Sequence, residues 1–200
     1  MKPLHECFQD ELTRRTGIDP EAVLPAWIRA GLGKGGLFSQ ARLMQSIRSG
    51  PVDLRGARLR NLHFSRLALE NVDLTGAILH NVSFEEVHLE ASSFQQAVLD
   101  SVSFQECELS GATFENAQME FATWEQVRAH NVTFTNASIH PMWERCDLRH
   151  CEFQGVLFRG GYLIQSQFSH SRLQGAQFLY AQDEAVYVSG VDFSHAQMNY

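Results

Sequence analysis

The sequence lacks the features that would place it in a membrane, in the secretory pathway or on nucleic acid. No apolar run approaches the roughly 18 residues that a membrane-spanning helix needs, and the first residues do not form a secretion signal. The net charge of −7 over 200 residues is moderate, so bulk attraction to nucleic acid or to an acidic membrane is not indicated. We therefore expect a cytoplasmic protein that binds neither nucleic acid directly nor a membrane.

Residues 52–198 carry instead a repeat of five residues. Nearly every fifth residue is Leu, Phe or another large apolar residue, and a series of smaller residues such as Val72 and Ala77 lies two positions earlier. Helices repeat about every 3.6 residues and strands about every 2, so neither produces this period. The large series runs Leu54, Leu59, Phe64, Leu69, Leu74, Leu79, Phe84, Leu89, Phe94, Leu99, Phe104, Leu109, Phe114, Met119, Trp124, Ala129, Phe134 and Ile139.

The other three residues of each unit are expected to face water and to turn the chain. The residue before the large one is often Asp, Ser or Thr, and the second residue after it is often Gly or Asn, as at Gly56, Asn61 and Asn71. Such residues bond to nearby backbone or tolerate left-handed dihedral angles, which tight turns require. Each unit therefore predicts one short side and one corner, with alternate side chains pointing inward.

These units resemble the pentapeptide-repeat family, whose pattern is Ala, then Asp or Asn, then Leu and two further residues. Val72-Asp73-Leu74-Thr75-Gly76 and Ala112-Thr113-Phe114-Glu115-Asn116 match this pattern. The resemblance implies a mainly β fold, a right-handed quadrilateral β-helix with four repeats per coil and no internal channel. At about 4.8 Å per coil, roughly seven coils form a rod about 35 Å long.

Sorting the large residues by every fourth unit produces four columns of similar residues, which are expected to stack from coil to coil. The third column consists of Phe64, Phe84, Phe104 and Trp124. After Ile139 the period slips by one residue. If that unit is one residue short, Trp143 becomes its large residue above Trp124, with Pro141 at the corner. We therefore predict that Trp143 lies inside the coil.

Residues 1–50 lack the repeat and favour helices. Apolar residues at helical spacing predict a first helix over about 4–16, Asp19 and Pro20 start a second, and Ser39 can cap a third. An open β-helix end exposes backbone and apolar groups that pair with other molecules unless they are covered. We predict that residues 1–50 form an α-helical cap on a repeat domain of residues 51–200. The alternative is a separate binding element.

No cap is visible at the other end of the sequence. Strict counting places Asp183 inside the coil, and because an unpaired buried carboxylate is costly, we expect a bulge or a small loop there. The last coil then ends in Val191, Phe193, Met198 and Tyr200. We predict a homodimer through this apolar end, with Phe193, Met198 and Tyr200 in the interface, as the resemblance also allows.

No group of residues predicts catalysis. The histidines beyond His5 fall at outward positions or in the slipped turn and are scattered over the coils. Cys146, His150 and Cys151 are close in sequence, but the repeat points both thiols inward and the imidazole outward, which disfavours a zinc site. Side chains that fill the coil leave no room for a pocket. We therefore expect a protein that is not an enzyme and holds no cofactor or metal.

Charge is segregated along the repeat. Residues 67–127 contain no Lys or Arg but many carboxylates, whereas residues 51–66 and 128–172 hold arginines. Folding the chain onto a square gathers carboxylates on two adjacent sides, and we expect them to contact a protein partner. We call the following residues the acidic belt: Glu70, Glu85, Glu86, Glu90, Glu106, Glu108 and Glu125. The alternative is that these charges only keep a rod soluble.

The repeat and its charges together favour a non-enzymatic β-solenoid that binds a protein partner through acidic outer faces. The best-known proteins that this sequence resembles, the quinolone-resistance and microcin- or albicidin-immunity proteins, are similar to DNA in shape and charge and bind DNA gyrase. The resemblance therefore implies an alternative function, a DNA mimic that protects a type II topoisomerase from inhibitors or toxins. This sequence departs from the resistance proteins because it has no long insertion between repeats and no carboxy-terminal dimerising helix.

Overall fold

The computed structural model describes residues 54–179 and 185–198, which form a mainly β, parallel solenoid of about six turns. Residues 1–53, 180–184 and 199–200 lie outside the described residues. The predicted helical cap and the boundary near residue 50 fall in the first of these segments and stay predictions. Over the described ranges, no helix has the length and apolar character needed to cross a membrane.

Each turn of the solenoid has four sides, and in the regular part each side takes one five-residue unit. Arg58 accordingly pairs with Ile78, and Ile78 pairs with Val98, four units further along the chain each time. All the strands pair in parallel with the turns before and after. They are β1 Arg58–Ser65, β2 Ile78–Glu85, β3 Val98–Asp100, β4 Ser103–Gln105, β5 Gln118–Glu125, β6 Ser138–Glu144, β7 Leu157–Arg159, β8 Tyr162–Ile164, β9 Gln177–Leu179 and β10 Tyr187–Ser189.

The strands cover two of the four sides, and single β-bridges such as Ala68 with His88 and Asp73 with Ser93 continue the pairing on the other two. We number the sides by the large residue that comes first on each. Side one begins with Leu54, side two with Leu59, side three with Phe64 and side four with Leu69.

The corners explain why the chain repeats every five residues. In the regular part, every fifth residue adopts a left-handed conformation, from Gly56 with φ 65° and Asn61 with φ 53° onward. Gly and Asn adopt this conformation at little cost, as the sequence predicts. Other residues also occupy corners, including Arg66, Glu86 and Phe121, so the fold imposes left-handed geometry where the sequence carries no turn signal.

Inward side chains fill the solenoid in columns, as the sequence predicts. On side three the rings of Phe64 and Phe84 stack with centroids 5.0 Å apart, and Phe104 continues the stack at the same spacing. These rings are buried. Burial of apolar area contributes most of the favourable free energy of folding, and each turn gains it only by stacking on its neighbours.

The slip after Ile139 shortens one turn by a residue, as predicted. Trp143 pairs with Trp124, its ring stacks 4.9 Å from that of Trp124, and it is fully buried. The predicted position of Trp143 inside the coil is therefore confirmed. The prediction that Pro141 lies at the corner is wrong. Pro141 pairs with inward Ala122 and is buried, so it takes the small inward position. The residue missing from this turn is the left-handed corner residue, since none of residues 140–142 has a positive φ.

The last turn is longer than the others by one five-residue unit. Phe158 pairs with Phe178 at the regular interval of four units, whereas Leu163 pairs with Val188, five units further along the chain. The bulge or small loop that the sequence predicts at Asp183 lies outside the described residues and stays a prediction.

Candidate functional site: the acidic belt

The interior offers no reactive group among the described residues. Burial raises the pKa of Cys107 to about 11 and the pKa of Cys146 and of Cys151 to about 12, so these thiols stay protonated at neutral pH. Cys146 and Cys151 are buried whereas His150 is exposed, which is the separation that the repeat predicts. Within residues 54–179 and 185–198, no His, Cys, Asp or Glu side chains group as metal ligands would.

The acidic belt lies around the corner between sides three and four. Glu85 and Glu125 follow the buried Phe84 and Trp124 on side three. Glu86 and Glu106 occupy the corner itself, both with φ 52°. The other three belt residues lie on side four and are Glu70, Glu90 and Glu108.

The backbone holds these carboxylates at fixed heights. Glu85 pairs with Gln105, and Gln105 pairs with Glu125 in the next turn. Glu86 and Glu106 likewise donate backbone hydrogen bonds to residues one turn ahead. Because neighbouring strands lie about 4.8 Å apart, Glu85 and Glu125 are separated by roughly 10 Å along the rod. Binding therefore requires little additional ordering of this backbone.

Arginines near both ends of the belt pair with some of its carboxylates. Arg66 Nη2 lies 3.2 Å from Glu86 Oε1, one turn further along the rod. Arg128 Nε donates to Glu108 Oε2 at 2.8 Å. These pairs reduce the negative potential at the two edges of the belt.

Arg145 makes a similar contact on the last turn that the belt reaches. Its Nη2 lies 2.7 Å from Glu125 Oε1, and its Nη1 lies 3.2 Å from Glu144 Oε1. All three side chains remain more than a third exposed, so solvent screens the attraction and a basic partner can compete for these carboxylates.

Histidines pair with two further belt residues. His63 Nε2 lies 3.5 Å from Glu85 Oε2, and His88 Nδ1 lies 3.1 Å from Glu90 Oε1. These contacts join side chains of neighbouring turns, or of one turn, on the outer wall of the rod.

Two belt residues, Glu70 and Glu106, make no ion pair within residues 54–179 and 185–198. Glu106 is exposed at the corner, with Glu86 one turn before it. Glu70 at the first turn of the belt and Glu106 near its centre are therefore the carboxylates whose charge is least compensated by the chain itself.

Glu108 is the most enclosed belt residue, with its side chain 16% exposed. Burial alone raises the pKa of Glu108, but hydrogen bonds from Ser110 and Arg128 outweigh it, so the pKa ends below its ordinary value. The carboxylate is thus ionised and already held by the protein, which leaves fewer acceptor positions for a partner.

A second enclosed carboxylate, Asp147, lies on side four beyond the belt. His130 Nε2 lies 2.6 Å and Arg149 Nη2 lies 2.7 Å from Asp147 Oδ2. Burial raises the pKa of Asp147, and the hydrogen bonds from Arg149 and His130 lower it by more, so that the net direction is downward. These contacts hold the wall together across turns and present little unpaired charge.

The charge pattern along the sequence did not reveal the partners of the belt. Arg66 and Glu86 lie one full turn apart in sequence, as do Glu108 and Arg128, which places each pair in neighbouring turns. Comparing charges at this spacing finds both pairs from the sequence. The contact of Arg145 with both Glu125 and Glu144 depends on the side-chain geometry at the shortened turn.

Solved structures similar to this chain include pentapeptide repeat proteins. QnrB1, a plasmid-mediated fluoroquinolone resistance protein, is 18% identical with a TM-score of 0.36, over 71% of this chain and 89% of that one. Rfr23, a pentapeptide repeat protein from the cyanobacterium Cyanothece 51142, is 16% identical with a TM-score of 0.34, over 72% and 89% of the two chains.

HetL from Nostoc sp. strain PCC 7120, a pentapeptide repeat protein involved in heterocyst differentiation regulation, is 14% identical with a TM-score of 0.29, over 78% and 93% of the two chains. No curated protein matches the chain.

Family sequence models match most of the solenoid. The pentapeptide repeat region matches residues 77–143, and the pentapeptide repeats, in eight copies, match residues 53–90 and 144–182. Together with the four-sided turns and the stacked columns, these matches identify the chain as a member of the pentapeptide-repeat family.

Proposed function

We propose that the chain is a non-enzymatic binding scaffold whose acidic belt recognises a basic surface of a protein partner. One observation carries this proposal: Glu85, Glu86, Glu106 and Glu125 lie around one corner, within about 10 Å along the rod, on backbone that is paired on both sides. Fixed charges of one sign attract a partner of the other sign and orient it. Filled columns leave the outer walls for recognition.

The internal ion pairs indicate which carboxylates matter most. A partner that contacts Glu86 or Glu125 must replace or share Arg66 or Arg145, whereas Glu106 is open to it. Removing an uncompensated charge weakens a charged interface more than removing one that its own chain already satisfies. We expect Glu106→Gln to reduce binding more than Glu108→Gln.

Capture of the partner by the intact chain from its native lysate tests the proposal. Replacing Glu85, Glu86, Glu106 and Glu125 with Gln should abolish capture, and raising the salt concentration should weaken capture by the unmodified chain because exposed charges are screened. A control variant loses the same number of negative charges at positions away from this corner. It carries Glu115→Gln, Glu120→Gln, Glu152→Gln and Asp192→Asn. The proposal is overturned if the unmodified chain, the belt variant and the control variant capture the partner equally and salt does not affect capture.

Protection of DNA gyrase or a related topoisomerase is the second candidate. Rows of carboxylates about 4.8 Å apart are loosely similar to phosphates about 3.4 Å apart along a DNA strand. The corner row counts against a continuous imitation, because it reads Arg66, Glu86, Glu106, Gln126 and Arg145. A gyrase supercoiling assay with and without a quinolone tests this candidate, and no effect at any concentration of the chain eliminates it.

Tail-to-tail dimerisation through the carboxy-terminal turn is supported by the exposure of that turn. Its inward residues Phe178, Val188 and Met198 are 45%, 44% and 43% exposed, because the described chain places no further turn on them. Phe193 is half-buried against Phe168, and Tyr200 lies outside the described residues. Sedimentation of the chain and of Met198→Glu tests the dimer, and a strict monomer at high concentration rejects it.

A further inference from the structure

Side three changes character along the rod. The outward row just before its large residues reads His63, Ser83, Ser103 and Thr123 in the first turns. In the next turns the same row continues with Met142, Tyr162 and Tyr187. Outward residues do not contribute to the stacked columns, so the fold does not require large apolar side chains here.

These side chains and two neighbours form one exposed surface. We call it the apolar patch, and it consists of Phe121, Met142, Tyr162, Ile164 and Tyr187. Phe121 is 56% exposed and Tyr187 is 61% exposed, while the others are half-buried. A depression lined by Met142, Tyr162, Ile164 and Tyr187 together with His140 runs through the patch. Contiguous exposed apolar surface of this kind marks interaction sites.

The depression lies at the shortened turn. With one residue fewer, the wall at Pro141 leaves so little room that a Cβ on Gly161 would lie 2.0 Å from the Pro141 carbonyl oxygen. Gly160 and Gly161, both left-handed with φ 62° and 80°, allow the next turn to follow. The irregular corner therefore changes the surface of side three while the core column beneath it continues through Trp143 and Leu163.

Phe121 occupies a corner that disfavours it. Its φ is 54°, a left-handed conformation that Asn or Gly adopts more readily than Phe does. Its ring lies against His140, with centroids 5.2 Å apart, and over half of it remains in water. The fold imposes the same backbone conformation at corners such as Arg66 and Glu86, so it is the exposed ring that points to a role in contacting another molecule.

The apolar patch continues the acidic belt on the same side. Phe121 and Glu125 belong to β5, and the row that carries Glu85 and Glu125 continues with Glu144 and then Ile164. From Glu85 to Tyr187, five turns span about 24 Å, which is the length of roughly 16 residues of α-helix. Side three thus presents carboxylates at one end and aromatic and aliphatic side chains at the other.

We propose that side three binds an amphipathic helix of the protein partner, with basic residues at one end of the helix on the acidic belt and large apolar residues at the other end in the apolar patch. This inference rests on the proposed function and adds to it the shape and polarity of the bound segment. Charge complementarity orients the helix, since its basic end meets the carboxylates, and burial of the aromatic side chains supplies affinity.

A labelled model helix tests the inference on the full chain. The probe is an 18-residue fluorescein-labelled peptide with Lys in one half and Leu and Phe at helical spacing in the other, made in both sequence orders. Binding is followed by fluorescence anisotropy. The patch variant combines Met142→Ser, Tyr162→Thr and Tyr187→Thr, the residue types that the same row carries at Ser83, Ser103 and Thr123. Its matched control combines Ile78→Thr and Val98→Thr, which are outward residues on side two.

The patch variant should bind the probe at least about tenfold more weakly than the unmodified chain, since buried aromatic anchors carry much of the energy of such interfaces. The control variant should bind like the unmodified chain. The Gln variant of Glu85, Glu86, Glu106 and Glu125 should also bind more weakly and lose the salt dependence. Circular dichroism and thermal unfolding confirm that the exposed substitutions leave the fold intact.

The possible outcomes separate this inference from the proposed function. Loss of binding in the Gln variant with no change in the patch variant overturns the inference and leaves the function standing. Loss in the patch variant with no change in the Gln variant overturns both. If the patch substitutions change the sedimentation of the chain, the patch binds a second copy of the chain. If the unmodified chain binds phosphatidylcholine vesicles and the patch variant does not, the patch binds lipid. Either result overturns the inference.

Discussion

The two halves of the solenoid differ in regularity and in surface. Up to Ile139 every turn takes four five-residue units, and the outer walls are mostly polar and acidic. Beyond it, the turn that joins Ser138 to Leu157 is one residue shorter than the regular turn. The turn that joins Gln167 to Asp192 is one whole unit longer. The inward columns nevertheless pass through both halves.

This difference shows where the fold tolerates change. A column residue must contact the residues above and below it, so its position in the turn is constrained by close packing. A corner faces water and only has to turn the chain onto the next side, so residues can be lost or added there. The second half has used this freedom, and its side three carries all of the apolar patch except Phe121.

The largest expected effect tests whether the core is equally well packed in the two halves. Trp124→Ala and Trp143→Ala should each lower the free energy of unfolding by about 3–5 kcal/mol, because each leaves a large cavity. Both indoles are fully buried and stack on each other. Urea unfolding followed by circular dichroism measures both. A much smaller cost at Trp143 would mean that the shortened turn is loosely packed.

A milder substitution at the same sites serves as the control. Neither Trp124 Nε1 nor Trp143 Nε1 has a hydrogen-bond partner among the described residues. Trp→Phe at either site removes this unsatisfied donor, which should raise the free energy of unfolding by about 1–3 kcal/mol. The same substitution leaves a small cavity, which lowers the free energy of unfolding. We expect a net change within about 1 kcal/mol.

The next effect compares one glycine in each half. Gly161→Ala should lower the free energy of unfolding by about 2–4 kcal/mol, because it adds a clash with the Pro141 carbonyl oxygen to left-handed strain. Gly111→Ala should cost only about 1 kcal/mol, since its φ is 72° but the nearest atom to an added Cβ is 4.0 Å away. Urea unfolding distinguishes them, and equal costs contradict a tight contact between Gly161 and the Pro141 carbonyl oxygen.

A pair of corner exchanges should have opposite signs. Phe121→Asn should raise the free energy of unfolding by about 1 kcal/mol, and Asn116→Phe should lower it by a similar amount. The two positions have φ 54° and 57° and are both exposed, so the backbone conformation is matched. Thermal unfolding measures both changes. A destabilised Phe121→Asn would show that the ring supports the fold through His140.

The smallest expected effect concerns pH. The pKa of Glu108 and the pKa of Asp147 are lower in the folded protein, so each carboxylate contributes stability above its ordinary pKa, and this contribution is lost as pH falls through the lowered folded pKa. Because both pairs are partly exposed, each contribution should be below about 1 kcal/mol. Thermal unfolding from neutral to acidic pH should show a shallower loss for Glu108→Gln and for Asp147→Asn than for the unmodified chain.

Much of this architecture follows from the sequence because a five-residue period leaves few alternatives. The large residues Phe84 and Phe104 predict inward positions, and Asn81 and Gly111 predict corners. Both sets fit the same four-sided coil. The position of Trp143 follows too, since only a shortened unit restores the column above Trp124. The apolar patch could not be found in this way, because Phe121, Met142 and Tyr187 lie far apart in sequence and outside the inward series.

By itself the sequence determined the solenoid, its inward columns and the side on which each belt carboxylate lies, because period and burial are linked by the geometry of a repeating chain. Only the tertiary structure decided that Arg145 pairs with both Glu125 and Glu144 at the shortened turn. It also decided that the shortened turn creates a depression on side three. Both depend on side-chain contacts between turns, which the period places side by side without specifying their distances.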